Sequence, residues 1–307
     1  MSIYTVVSHE QLETYLSLYD VGTLQSFRGI EAGVENTNYF VTTSHGEFVL
    51  TLVESVGVEK LPFILGFVDH LASRGMECAQ PVHLNTGELF GELNERPAVL
   101  MNRLAGGPLE IPTLGQCKSI GAAQAHAHQL AAELPADQYT HLHQWCTETA
   151  APILEKLDSS QKDLLQHALM DAGNIPWTNL PTGPVHADLF PDNALFDGES
   201  LSGFIDFYHA CSAPYIYDLS VTLNAWCYDE EAGEYDQDKA DALLAAYQAT
   251  RPLTEEELQN LSAMQQVAAL RFWLSRLRDK LFPKEGEFIT VKDPAGKQSL
   301  LETLRSR

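Results

Sequence analysis

Three polar residues in one short stretch have the types and spacing for chemistry: His186, Asp188 and Asn193, in the pattern H-x-D-x-x-x-x-N within Pro184-Val185-His186-Ala187-Asp188-Leu189-Phe190-Pro191-Asp192-Asn193. A second apolar run ending in an acid, Phe204-Ile205-Asp206-Phe207, follows closely. The apolar runs Asn193–Phe196 and Leu201–Ile205 are separated by Asp197-Gly198-Glu199-Ser200, which has the composition of a tight hairpin turn. Folding about that turn brings Asp206 opposite Asp192 or Asn193. Facing residues of paired strands lie ~5 Å apart, so an amide oxygen and a carboxylate can reach one small divalent cation. Asn193 and Asp206 are therefore candidate metal ligands. Asp188, on the irregular loop before them, is then placed to accept a proton from a substrate hydroxyl, with no covalent enzyme intermediate. The competing reading has Asp188 capping a turn, Asn193 starting a strand and Asp206 ending one, all solvated.

Other constellations carry less. No G-x-x-x-x-G-K-[S/T] loop occurs, which excludes a P-loop kinase. Gly198-Glu199-Ser200-Leu201-Ser202-Gly203 has one residue too many for a nucleophile elbow. His126 and His128, like His141 and His143, stand two apart, a spacing that diverges on a helix and reads as core or surface histidine. The 5 cysteines contain no C-x-x-C pair and read as thiols in a reducing compartment.

The elements that must position these residues follow from periodicity. Leu24–Ile30, Asn38–Thr43 and Glu47–Val53 read as three antiparallel strands, Leu61–Ser73 as a helix, and Pro97–Leu104 as a further strand. Ala105-Gly106-Gly107-Pro108 is the expected boundary. Beyond it Thr113–Leu134, Cys146–Leu157, Gln161–Ala172, Asp238–Thr250 and Thr254–Leu281 carry helical apolar spacing, the last opening on a Thr254/Glu257 capping box. The expected fold is α+β: a β-rich lobe over residues 1–104 and a mainly helical lobe over residues 105–307.

Composition narrows the function classes. Lys and Arg total 19 against 42 Asp and Glu, a formal charge of −23, which repels polyphosphate backbones and anionic lipid surfaces alike. No nucleic-acid or membrane partner is expected. The N-terminus lacks the basic and apolar regions of a secretion signal, and no stretch approaches ~18 uncharged apolar residues, so a cytoplasmic protein is expected. Oligomeric state is not legible.

The H-A-D-L-F-P-D-N loop and the I-D-F strand resemble those of the aminoglycoside-phosphotransferase and choline-kinase superfamily, relatives of the protein kinases. Gly33–Val41, Phe48–Leu52, Leu61-Pro62-Phe63, Ile205–Tyr208 and Tyr217-Asp218-Leu219 through Leu223-Asn224-Ala225-Trp226-Cys227 are similar, more narrowly, to the type II homoserine kinases of bacterial threonine synthesis. The resemblance implies a bilobal kinase-like fold. It also implies transfer of the γ-phosphoryl group of ATP to the hydroxyl of L-homoserine, giving O-phospho-L-homoserine. Asp188 is then the catalytic base, and Asn193 and Asp206 the Mg²⁺ ligands. Gly33, Asn36, Thr37 and Asn38 fall in the nucleotide loop, the backbone near Met101 and Asn102 at the adenine hinge, and Asp218, with His186, in the support of the catalytic loop.

One position departs from the wider superfamily. Thr51 stands where a phosphate-holding lysine is expected, as in the narrower branch, with Lys60 a weak substitute. For the acceptor carboxylate, Arg271 and Arg276 are candidates for a guanidinium fork, against pairing with an Asp or Glu of this acidic chain. Tyr208, Asn224 and Trp226 are further candidates for the pocket lining, although Trp226 also reads as core. Two alternatives stay open: a kinase of another small alcohol (choline, methylthioribose or an aminoglycoside) and a non-catalytic kinase-like binding module.

Overall fold

The structure, a computed structural model, describes residues 5–30, 36–136, 141–283 and 292–307. It divides the chain into two compact units, Met1–Ala105 with Ser202–Tyr208, and Gly106–Leu201 with His209–Arg307. The Ser202–Tyr208 segment, which carries Asp206, thus belongs with the N-terminal unit rather than with the chain on either side of it.

In the first unit, α1 (His9–Leu16) opens on a Ser8/Gln11 capping box. The strands β1 (Leu24–Ile30), β2 (Thr37–Thr43) and β3 (Gly46–Leu52) are followed by α2 (Leu61–Ser73), β4 (Gly91–Leu93) and β5 (Arg96–Asn102). They form one antiparallel sheet in the order β1-β2-β3-β5-β4. The expected strands are present, but β4 and α1 carry no clear sequence period; α1 is held by Tyr15, whose hydroxyl donates to the carbonyl of Ala98 at 2.6 Å. Tyr39, Val41, Leu50, Leu52 and Leu100 join Leu12 and Leu16 in the core on that face, and Val53, Leu61, Leu65 and Val99 close the other. The end of the Ser202–Tyr208 segment nearest Gly203 is pinned here: Phe204 N–H donates to Glu77 O, and Ala79 N–H to Phe204 O.

In the second unit, α3 (Leu114–Ala131), α4 (Leu142–Leu154) and α5 (Ser159–Gly173) precede β6 (Thr182–Val185) and β7 (Ala194–Asp197). β7 makes a hairpin with β8 (Ser200–Phe204), as the turn composition predicts. β9 (Cys211–Pro214) pairs antiparallel with β6, and α6 (Tyr215–Trp226) follows it directly. A short β10 (Tyr228–Asp229) and β11 (Glu234–Tyr235) ribbon leads to α7 (Gln237–Thr250), α8 (Glu255–Leu281) and α9 (Ala295–Ser306). The long α8 buries Leu270, Trp273, Leu274 and Leu277 against Cys146 and Ile153 of α4, Leu165 of α5 and Leu300 and Leu301 of α9. β6 and β9 escaped the sequence reading because their four residues are too short to show a period. No helix among the described residues is long and apolar enough to cross a membrane.

Candidate active site

The Asp188 loop begins where β6 stops. Ala187 takes φ +64°, a left-handed conformation that costs a non-glycine residue ~1–3 kcal/mol, so something must hold it. Its N–H donates to Asp218 Oδ1 at 2.5 Å. Sequence reading put Asp218 ahead of an apolar helix; it lies inside the first turn of α6 and is 1% exposed, with Oδ2 accepting from Gln124 Nε2 at 2.8 Å and meeting His128 Nε2 at 2.9 Å. Burial alone would raise its pKa, but His128 and the other donors hold it below the ordinary carboxyl value.

Downstream, the loop closes on itself. Asp188 N–H donates to His186 Nδ1 at 3.3 Å, Phe190 N–H to Asp188 O at 2.8 Å, and Trp226 Nε1 to Leu189 O at 3.0 Å. Asn193, at the end of the single helical turn Pro191–Asn193, donates from Nδ2 to Asp188 O at 2.8 Å and to Asp188 Oδ2 at 3.2 Å. Both partners can only accept, which fixes the amide orientation and turns Asn193 Oδ1 away from them as an acceptor. The Asp188 carboxyl is raised by burial above its ordinary range, against the pull of His209, Arg271, His186 and Lys292. A raised carboxyl that keeps an anion-favouring surround is suited to taking a proton.

The remaining second-unit candidates separate. Arg271 lies with its guanidinium 4.5 Å from the Phe272 ring centroid and 5.6 Å from that of Trp145, with no acidic partner among the described residues, close enough to Asp188 to act on its charge. Arg276 instead pairs with Glu230 at 2.8 Å and donates to Asp293 O at 2.9 Å. Asn224 is buried with both ends of its amide bonded to Gln265, and Trp226 is 2% exposed with its N–H taken up by the loop.

In the first unit, Asp206 also takes a left-handed φ, +61°. Of the four described non-glycine residues with positive φ, Asn94 and Glu95 form a β-turn and the other two are Ala187 and Asp206, each at a candidate site. Phe207 beside it stacks edge-on against Phe67 of α2, and the buried Tyr208 phenol, raised by desolvation, lies near Thr51 and Asp206. Thr51 faces Asn38 across β2 and β3 and donates its hydroxyl to Asn38 Oδ1 at 2.7 Å. The position of the expected lysine is thus a neutral pair built into the sheet. Thr37 donates its hydroxyl to Glu54 Oε1 at 3.0 Å, and Asn36 Oδ1 accepts from Glu54 N–H at 3.0 Å. Asn38 Nδ2 donates one N–H to Asn36 O at 3.5 Å and keeps the other, whereas the Thr37 hydroxyl proton is taken by Glu54. Gly33 lies outside the described residues. Met101 and Asn102 end β5, where the Asn102 N–H is taken by Gln80 O.

Sequence reading missed three groups. His128 was set aside with its neighbour His126, yet only His128 faces inward. Glu230 and Lys297, which carried no motif, form a pair of 2.6 Å, and Lys297 Nζ sits 5.0 Å from the centroid of the Phe190 ring.

Residues 26–253 match the phosphotransferase enzyme family. A homoserine kinase of Methylobacillus flagellatus is 43% identical over 98% of this chain and 95% of its own length. One from Brucella ovis is 42% identical over 96% and 91%. Among solved structures, an aminoglycoside phosphotransferase from Alicyclobacillus acidocaldarius shares the fold with a TM-score of 0.71 at 14% identity, covering 99% of this chain and 97% of that one. An amicoumacin kinase solved with AMP-PNP, Ca²⁺ and Ami has a TM-score of 0.69 at 14% identity, covering 98% and 92%. With the β-rich and helical units of a kinase-like fold and a family match over most of its length, the chain belongs to the phosphotransferase enzyme family, as a near relative of these homoserine kinases.

Proposed function

We propose that this protein transfers the γ-phosphoryl group of ATP to the hydroxyl of L-homoserine, giving O-phospho-L-homoserine and ADP, a step of threonine biosynthesis. The choice of acceptor is carried by identity of 42–43%, along almost the entire chain, to proteins named homoserine kinase. The fold relatives at 14% identity support the kinase architecture and not the acceptor. ATP in the cytoplasm is the phosphoryl donor.

Asp188 accepts the homoserine hydroxyl proton as that oxygen bonds to Pγ, while the bond from Pγ to the bridging oxygen of ADP breaks. Its raised pKa suits it to that transfer, and the Asn193 amide holds the carboxylate in orientation. Asn193 Oδ1, turned away from Asp188 by that amide, and the Asp206 carboxylate are hard oxygen donors of the kind Mg²⁺ takes, and we assign them as its ligands. An ion held by these two residues would supply neutralisation of phosphate charge, for which this acidic chain has no strand-three lysine. We assign Arg271, whose guanidinium has aromatic faces but no carboxylate partner among the described residues, to the carboxylate of homoserine. Asn36 and Asn38 are assigned to the nucleotide.

Coupled ADP release across L-homoserine, choline, methylthioribose and an aminoglycoside tests the acceptor. Strong preference for homoserine is expected. Preference for another alcohol overturns the acceptor, and no ADP with any of them overturns the kinase.

A further inference from the structure

The support of the Asp188 loop does not end at Asp218. His128 on α3 is 1% exposed and Tyr247 on α7 is completely buried, and neither belongs to the motif that drew attention to the loop. His128 Nε2 lies 2.9 Å from Asp218 Oδ2, and His128 Nδ1 lies 2.7 Å from the Tyr247 hydroxyl. Arg251, at the end of α7, donates from Nη1 to that hydroxyl at 3.2 Å. Arg251 is anchored in turn by Glu257 of α8 at 3.0 Å and by the Tyr215 ring, 4.7 Å from its guanidinium carbon.

Hydrogen-bond chemistry gives this chain one direction. A carboxylate only accepts, so His128 Nε2 carries a proton. Burial disfavours a second proton on the imidazole, so Nδ1 is left bare and accepts from the Tyr247 O–H, while the Tyr247 oxygen accepts from Arg251. The imidazole is therefore neutral and protonated on Nε2 alone. We propose that His128 and Tyr247 are positioning residues for the Asp188 loop, forming with Arg251 an oriented donor chain that fixes the Asp218 carboxylate and, through it, the left-handed Ala187 backbone next to Asp188.

The physical reason is that Asp218 has two tasks on two oxygens. Oδ1 holds the Ala187 N–H, and Oδ2 is held by His128 and Gln124. Losing His128 leaves Gln124 alone against rotation of the carboxylate, and the strained Ala187 relaxes once its N–H is released. Asp188 is the next residue along the chain. A displacement of ~1 Å there costs on the order of 100-fold in rate without touching substrate.

The inference rests on Asp188 as the proton acceptor, so its test uses readouts with and without turnover, all on the full chain. In ¹⁵N-histidine NMR, His128 is expected as the Nε2–H tautomer, in wild type and in Asp188→Asn alike, with Nδ1 moving toward the free-imidazole value in Tyr247→Phe. Amide exchange at Ala187 is expected to rise in His128→Ala and in Tyr247→Phe. In turnover, His128→Ala is expected to lose about 100-fold in kcat and Tyr247→Phe about tenfold, each with the KM for ATP near wild type. His128→Gln, whose amide can still donate to Asp218, is expected to recover most of the loss. Leu165→Ala, a core truncation between α5 and α8, is expected to lower Tm as much while keeping kcat. An Nδ1–H tautomer or an imidazolium at neutral pH overturns the donor chain. Folded His128→Ala and Tyr247→Phe proteins with wild-type Ala187 exchange and wild-type kcat overturn the positioning role. If wild type turns over no alcohol, the kinase reading fails by itself, while tautomer and exchange still decide the proposal.

Discussion

Glu230→Gln isolates a buried cation, and the size of its effect can be worked from the geometry. The Lys297 side chain is 3% exposed, its ammonium 2.6 Å from Glu230 Oε1, and its other close neighbours are the faces of Phe190 and Phe272 at 5.0 and 5.9 Å. Against desolvation, Arg276 and Lys297 hold the Glu230 carboxyl down to about 2. Exchanging that carboxylate for an amide leaves the ammonium with no counter-charge and Arg276 close by. Breaking a buried pair in this way costs ~3–5 kcal/mol. Deprotonation sets a ceiling: releasing a lysine proton at pH 7 from an ordinary pKa of ~10.4, at ~1.36 kcal/mol per pH unit, costs about 4.6 kcal/mol. Because Glu230 itself is partly open to water, the lower part of the range applies, about 3 kcal/mol, or roughly 5 °C in Tm for a chain of 307 residues. The sign with pH follows. The variant's native state binds fewer protons at Lys297 than the unfolded chain, so its stability rises with pH, and its deficit against wild type narrows between about pH 7 and pH 10. Urea denaturation of both proteins at about pH 7 and pH 9 measures this. A deficit below about 1 kcal/mol, or one that does not change with pH, shows that Glu230 is not the counter-charge that Lys297 depends on.

Other outcomes follow from the same groups. His128 is held below its ordinary value by burial, with Asp218 opposing, and Asp218 below its own against burial by the His128 bond, so the native state resists protonation at both. Stability from this pair is present above the ordinary histidine value of 6.5 and lost as pH falls through it and then through the carboxyl range; Tm scans should show that loss, with its upper part flattened in His128→Gln, and an unchanged slope in that variant contradicts it. The acidic limb of the kcat profile should lie above the ordinary carboxyl range, because Asp188 is raised by burial and must be ionised to act; a limb at or below that range removes it as the base. Asp206→Ala should weaken Mg·ATP binding by calorimetry at least tenfold, and unchanged binding removes Asp206 from the ion's ligands.

Much of the fold was legible because its larger elements bury one face. α2 spans Leu61–Ser73, as its apolar spacing predicts, and Thr254 caps α8 through the box that Glu257 completes. The hairpin of β7 and β8 was readable from turn composition alone. What escaped was whatever depends on partners distant in sequence. α1 is mostly polar and is fixed by Tyr15 reaching Ala98, and α9 contributes only three leucines to the core, so neither has a periodic stripe strong enough to read. Among the candidate residues, Asp188, Asn193 and Asp206 stood out by spacing, whereas Lys297 reaches Phe190 from a helix more than a hundred residues away. Arg276 had the same local surroundings as Arg271, and only the structure shows that Glu230 occupies one and not the other. The absence of a strand-three lysine likewise became intelligible only through the Thr51–Asn38 bond, because the register that pairs them is a property of the sheet.

In the proposed reaction Asp188 takes the proton from homoserine while the γ-phosphoryl group of ATP moves to its oxygen. Formation of O-phospho-L-homoserine by wild type and Asp188→Asn, followed side by side by ³¹P NMR with Mg·ATP and L-homoserine, measures it. The prediction is product from wild type and a kcat lower by about 100-fold or more in the variant, with Mg·ATP affinity retained. Turnover by Asp188→Asn within about threefold of wild type contradicts it.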